Sequence, residues 1–249
     1  MNFPPELVQQ LARAKSVAVL TGAGVSAESG VPTFRDAQTG LWAKYRPEDL
    51  ATPRAFLRNP RLVWEWYAWR RELVAGVKPN AAHLALAEME AAFAQFHLVT
   101  QNVDGLHQRA GCRTVIELHG NIMRTKCFSE GTVVTQWPET GDVPPLCPRC
   151  GGHLRPDVVW FEEPLPAAEM EQAIKATTSC DVFLSVGTST VVYPAASLPF
   201  EALRKGATVV EINPQATPLT KQAHFVVPGA AGVVLPALWA AVKTARSTG

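Results

Sequence analysis

The chain predicts a doubly wound α/β fold, a parallel sheet with helices on both faces, and three observations carry that expectation. Apolar, β-branched runs of strand length alternate with helix-length segments along most of its 249 residues. The runs are nearly continuous in hydrophobicity, as strands covered on both faces must be. The first of them leads straight into a glycine turn.

The elements follow in order. MNFPPELVQQLARAKS (1–16) reads as a short amphipathic helix. SVAVLTGAG (16–24), HLVTQNVD (97–104), TVIELHG (114–120), DVFLSVGTS (181–189) and ATVVEINP (207–214) read as strands that run into polar ends. Helices are expected at about 53–76, 80–94, 166–178, 194–205 and 232–246, which makes the crossovers right-handed. Two stretches break the alternation. Residues 33–95 read as a helical insert. Residues 121–157, with few apolar runs, many turn residues and three of the five cysteines, read as a small inserted module. The Rossmann-like core then comprises about 1–32, 96–120 and 158–249, all within one domain spanning 1–249.

Composition narrows the partners. With 47% hydrophobic and 18% charged residues and a net charge of +1, nothing draws the chain towards nucleic acid or an anionic membrane. A charged substrate must therefore be recognised by a local group. The first residues lack the apolar run of a signal peptide, and no stretch approaches a membrane span. An odd number of cysteines without a secretion signal argues against a disulfide framework. The expectation is a soluble cytoplasmic monomer without nucleic-acid or membrane partners.

Gly22, Ala23 and Gly24 follow the first strand where a dinucleotide turn needs tight backbone and close phosphate approach, with Ala27 at the third fingerprint position. Alone, this is equally plain turn chemistry. The other strand ends add weight, because ligands of α/β sheets bind beyond the carboxyl ends of the strands. Those ends read Gln101-Asn102-Val103-Asp104, His119-Gly120, Gly187-Thr188-Ser189 and Asn213-Pro214-Gln215. Helix capping accounts for Asp104 or Ser189 singly but poorly for all four ends together.

GAGVSAESGVPTFRD (22–36), TQNVDGLHQRAG (100–111), ELHG (117–120), GTS (187–189), EINP (211–214) and GAAG (229–232) resemble, in family order, the signature segments of the sirtuins, NAD-dependent protein-lysine deacylases. The resemblance covers residue 16 to about 240. It implies NAD as cofactor, acyl-lysine proteins as substrates, and a reaction in which the acyl carbonyl oxygen attacks the anomeric carbon of the nicotinamide ribose. Nicotinamide leaves, and the alkylimidate collapses to free lysine and O-acyl-ADP-ribose. Such chemistry needs a positioned nicotinamide, a shielded pocket and a base. By resemblance His119 is that base, and an imidazole with an ordinary pKa near 6.5 suits the task. His107 lies in the same motif region, whereas His83, His97, His153 and His224 have no motif context. The resemblance further implies that Asn102 and Asp104 hold the carboxamide and cofactor, and that Gln101 meets a ribose. Phe34 and Arg35 belong to its mobile cofactor segment, Thr188 and Ser189 meet phosphate and ribose, Asn213 meets the adenosine ribose, and Ala231 leaves room near adenine. Sirtuins hold the acylated peptide by strand addition, and VVWFEE (158–163), with Val159, Trp160 and Phe161, matches one of the two segments involved. Most relatives have glycine after the phenylalanine. Here Glu162 either narrows the backbone approach or biases against acidic peptide flanks.

Sirtuins also carry a structural zinc on two Cys-x-x-Cys pairs. This chain has Cys147-Pro148-Arg149-Cys150 as one pair, but Cys127 is followed three residues later by Glu130. Three readings stand: zinc on three thiolates and the glutamate, zinc on three thiolates and another group, or a zinc-ribbon-like module held by packing alone.

Asn59-Pro60 signals a helix start, and Tyr67 and Arg70 share a face of that helix at i, i+3. Taken alone, the pair reads as a core tyrosine and a solvated arginine. Within the family, Tyr-x-x-Arg here resembles the class that removes succinyl, malonyl and glutaryl groups. Arg70 would bind the distal carboxylate, Tyr67 would add a hydrogen bond, and Ala51 would widen the acyl pocket. Desuccinylation and demalonylation are expected, with deacetylation retained. The rival readings are an NAD-dependent protein ADP-ribosyltransferase and a non-catalytic NAD-binding sensor.

Overall fold

The structure, a computed structural model, describes residues 1–32 and 44–247; Phe34 and Arg35 lie outside them. In chain order the elements are α1 (Pro5–Arg13), β1 (Ser16–Thr21), α2 (Ala23–Ser26), α3 (Pro47–Leu50), α4 (Pro53–Arg58), α5 (Pro60–Gly76), α6 (Ala81–Ala92), β2 (Gln95–Thr100), α7 (Leu106–Arg109) and β3 (Val115–Glu117). There follow β4 (Gly120–Cys127), β5 (Leu154–Val158), α8 (Ala167–Ser179), β6 (Val182–Val186), α9 (Leu198–Arg204), β7 (Thr208–Ile212), β8 (Phe225–Val227) and α10 (Ala231–Ser247).

Six strands form one parallel sheet in the order β3-β2-β1-β6-β7-β8, and β4 pairs with β5 in a separate antiparallel ribbon. The topological switch lies between β1 and β6, so their carboxyl ends open a crevice. The continuous apolar runs are explained by two cores. Val17 and Val19 face α1, α6 and α10, while Ala18 and Leu20 face α8 and α9.

Besides the β4–β5 ribbon, which no expected strand covered, the structure departs from the sequence expectations in three places. The helix expected over 53–76 is two helices, because Asn59 takes φ −150° and ψ 81° before Pro60 and its side chain accepts a hydrogen bond from Leu62 N–H. Residues 225–227 add a sixth strand too short to show a period. Finally, α6 lies within the segment read as a helical insert, yet Ala82, Ala85, Leu86 and Met89 pack into the core beneath the sheet with α1 and α10. Helices α4 and α5 do form a core of their own, with Phe56, Val63, Trp66 and Tyr67 packed against Ile122 of β4 and Val158 and Trp160.

Candidate active site

A cleft of about 340 Å³ opens beyond β1 and β2 and is closed on its far side by α5 and the 158–163 segment. Ala23, Ala51, Tyr67, Arg70, Gln101, Asn102, Val103, Asp104, His119, Val159, Trp160 and Phe161 all line it.

Of the glycine turn only Ala23 reaches this lining, and its two glycines pack against the end of β6 beside the cleft. Gly24 N–H donates to Gly187 O at 2.9 Å, and Gly22 N–H to Val186 O at 3.1 Å. A Cβ at Gly24 would stand 2.8 Å from Gly187 Cα, and one at Gly22 would stand 2.9 Å from Thr188 Cα, so only glycine lets β1 and β6 end this close. The cradle fits a dinucleotide turn. Gln101 Nε2 donates to Thr188 Oγ1 at 3.0 Å, and Asn213 Nδ2 to Thr188 O at 3.0 Å, so two further strand ends converge on the β6 loop. Ser189, Pro214 and Gln215 are exposed around it, and Ala231 is buried at the start of α10.

Behind the cleft lies a polar network that the sequence reading did not assign. Ser26 Oγ donates to Asp104 Oδ2 at 2.7 Å, and Asn102 Nδ2 donates to Ser26 Oγ at 3.1 Å and to Gly22 O at 3.0 Å. His83, fully buried, faces Ser26 at 3.4 Å. Its position follows from the Asn80 cap of α6, where Asn80 N–H donates to His83 Nδ1. That Asn-x-x-His spacing was the available signal for His83, and a serine one turn after Gly22 was the signal for Ser26. His107, also buried, meets Thr21 Oγ1 at 2.9 Å, and burial pushes its pKa down to about 3, helped by the neighbouring His83 ring. It stays neutral at any ordinary pH.

His119 is half-buried at the mouth of this network. Its Nδ1 lies 2.9 Å from Gln101 O, which can only accept, so the proton sits on Nδ1 and the lone pair on Nε2. Burial lowers its pKa below 6.5, partly offset by that hydrogen bond. The ring is thus a neutral base of fixed tautomer beside the cleft.

The far wall is made of side chains. Val63, Trp66, Tyr67, Arg70 and Val74 form the buried stripe of α5. Tyr67 is fully buried, and its hydroxyl accepts from Trp160 Nε1 at 3.0 Å. Indole only donates, so the Tyr67 proton is left to donate elsewhere. The Arg70 guanidinium, 9% exposed, lies 4.9 Å from the Trp66 ring and 5.7 Å from the Tyr67 ring. Burial lowers its pKa, with Tyr67 and Asp104 opposing the shift. The backbone of the facing segment is fixed by Val159 N–H to His119 O and Phe161 N–H to Ala51 O, each 3.0 Å. Glu162 sits at φ +75°, the left-handed region that favours glycine, and Arg54 Nε donates to it at 3.1 Å.

Three of the five cysteines gather away from the cleft. One ligand atom each from Cys127, Glu130, Cys147 and Cys150 lies within 4.8 Å of the others, and the Cys127 and Cys150 sulfurs are 3.4 Å apart. Three thiols and a carboxylate in this volume fit a tetrahedral zinc ion. Backbone N–H groups of Arg149 and Cys150 lower the Cys147 pKa, favouring the thiolate a metal needs. Arg149 pairs with Glu130 at 2.9 Å, so the fourth corner carries its own counter-ion.

Residues 22–194 match the Sir2 family. An NAD-dependent protein deacylase of Aquifex aeolicus (strain VF5) is 55% identical over 216 residues, which cover 84% of this chain and 89% of that protein. The crystal structure of a Sir2 homolog–NAD complex agrees at a TM-score of 0.90 and 46% identity, covering 98% of this chain and 96% of the other. Sir2Af2 bound to a myristoylated histone peptide agrees at a TM-score of 0.77 and 36% identity, covering 98% of both chains. Among the described residues, no helix is long and apolar enough to cross a membrane.

Proposed function

We propose that this chain, which belongs to the Sir2 family and is an NAD-dependent protein deacylase, removes lysine acyl groups that end in a carboxylate, succinyl and malonyl, besides acetyl. The observation that carries the reading is the burial of Arg70 beside Tyr67 in the cleft wall. The guanidinium lines the cleft beside the Tyr67 hydroxyl, in a largely water-excluded wall where charge-assisted hydrogen bonds are strong. A carboxylate at the tip of an acyl group would accept charge-assisted hydrogen bonds from it, and Tyr67 has a proton to add. Ala51 leaves room for the longer chain.

NAD, when bound, supplies the electrophilic anomeric carbon and the nicotinamide leaving group. The chain's own residues do the rest. Gly22, Ala23 and Gly24 let backbone approach the phosphates, with Gly187, Thr188 and Ser189 around them, and Gln101 meets a ribose. Asn102, Val103 and Asp104, braced by Ser26, orient the carboxamide. Asn213, Pro214, Gln215 and Ala231 surround the adenosine end. His119 Nε2 takes a proton from a ribose hydroxyl. Val159, Trp160 and Phe161 position the acyl-lysine. Cys127, Cys147, Cys150 and Glu130 would hold one zinc ion that folds the 121–157 module.

The test is kcat/KM for succinyl-lysine and acetyl-lysine peptides with wild-type protein and Arg70→Met. Loss of the charged hydrogen bonds is expected to lower the succinyl value about a hundredfold and leave the acetyl value nearly unchanged. An unchanged succinyl value overturns the reading.

A further inference from the structure

We propose that Arg71 is a positioning residue for acyl-group selection: its guanidinium fastens α5 to the irregular middle of β4 and so fixes where Tyr67 and Arg70 stand. The proposal rests on the role given to Arg70 above.

The β4–β5 ladder pairs Asn121 with Asp157 and then resumes only at Thr125 with Pro156, a register shift that leaves residues 122–124 outside the pairing. Carbonyls of that bulge need donors from elsewhere. Arg71 provides them: Nε donates to Ile122 O at 2.6 Å, and Nη2 donates to Arg124 O at 2.9 Å and to Thr125 Oγ1 at 3.1 Å. The same guanidinium lies 5.1 Å from the Trp64 ring, and Trp64 packs against Cys127, Cys147 and Leu154.

Helical geometry makes this matter for the cleft. Trp64 and Arg71, two turns apart, form a stripe that flanks the buried stripe of Trp66, Tyr67 and Arg70. Apolar contacts of Val63, Trp66 and Val74 hold α5 against its core, but such contacts are non-directional and leave small rotations and slides cheap. A planar fork meeting three acceptors is directional and removes that freedom. The anchored strand is also the one that starts beside His119 and ends at Cys127. The acyl-reading helix is thereby indexed to the reacting end of the cleft.

Arg71→Met keeps an apolar stem against Trp64 and removes every donor; Arg71→Lys keeps one charge without the fork. We expect Arg71→Met to raise KM for a succinyl-lysine peptide about tenfold, the scale of a small misplacement of a binding group. KM for acetyl-lysine peptide and for NAD should stay within about twofold, a spread well below a tenfold effect. Arg71→Lys should fall between Arg71→Met and wild type. Equal losses on succinyl and acetyl peptides that follow the fall in Tm would mean a merely structural residue and overturn the proposal. If Arg71→Met does not fold, Arg71→Lys decides by the same succinyl-to-acetyl ratio. Arg70→Met run in parallel separates the two claims. If it leaves succinyl turnover unchanged, the Arg70 reading has failed; if it removes the succinyl preference while both Arg71 variants keep it, only the positioning role has.

Discussion

The wall of the glycine turn, beside the cleft, is closed by backbone on backbone, Gly24 against Gly187, whereas the α5 wall of the cleft presents side chains, Tyr67 against Trp160 and Arg70 over Trp66. The first wall tolerates no added atom, because the approach of two strand ends leaves space for none. The second can be respecified by exchanging one or two residues on a helix whose packing otherwise stays as it is. On the proposed reading, a substitution at Tyr67 or Arg70 shifts acyl preference and leaves the cofactor turn untouched.

The largest effect should come where the walls meet. His119→Ala is expected to lower deacylation by about 10²–10⁴-fold, the worth of a positioned base, measured as O-acyl-ADP-ribose formed. Because burial holds the His119 pKa below 6.5, the neutral ring survives to lower pH than an ordinary histidine. The acid limb of a kcat/KM profile should therefore be centred below 6.5. A limb centred above 6.5 would contradict the geometry. Next, Gly24→Ala should break the backbone wall alone. Overpacking there costs about 1–3 kcal/mol, so KM for NAD rises while the succinyl-to-acetyl ratio stays constant. Outside both walls, Glu130→Cys should slow zinc loss to a chelator about tenfold by completing a thiolate set, read by elemental analysis over time. The smallest effect belongs to the rim of the side-chain wall. Glu162→Gly relieves a left-handed residue and loses an exposed ion pair, for a net gain of about 0.5 kcal/mol and a Tm rise of about 1–2 °C.

The same contrast governs how much could be read in advance. The backbone wall was legible, since Gly22 and Gly24 after a β-branched run and polar residues at four strand ends are local patterns. Strands β1, β2, β3, β6 and β7 were legible for the same reason, whereas β4 and β5, in the segment with few apolar runs, were not. What escaped depends on contacts distant in sequence. The buried network of Ser26 and His83 joins residues 57 positions apart, and α6 belongs to the sheet core through α1 and α10, neither of which its own pattern reveals. Glu162 is an instructive middle case. The departure from glycine was visible in the sequence, but its physical content, a φ of +75° held beside Arg54, required the fold. Arg71, next to Arg70 in the chain, carries no local signal of its role, because the carbonyls it donates to lie in the bulge of β4.

The central claim, that a carboxylate meets Arg70, can be tested on the wild-type protein without any substitution. A succinyl-lysine peptide and the same peptide with the distal carboxylate replaced by its neutral amide would compete in one reaction, and mass spectrometry would count the two products. With the charged hydrogen bonds worth about 1.5–3 kcal/mol, the succinyl peptide should be consumed some ten- to hundredfold faster. Equal consumption of the two peptides would contradict the assignment.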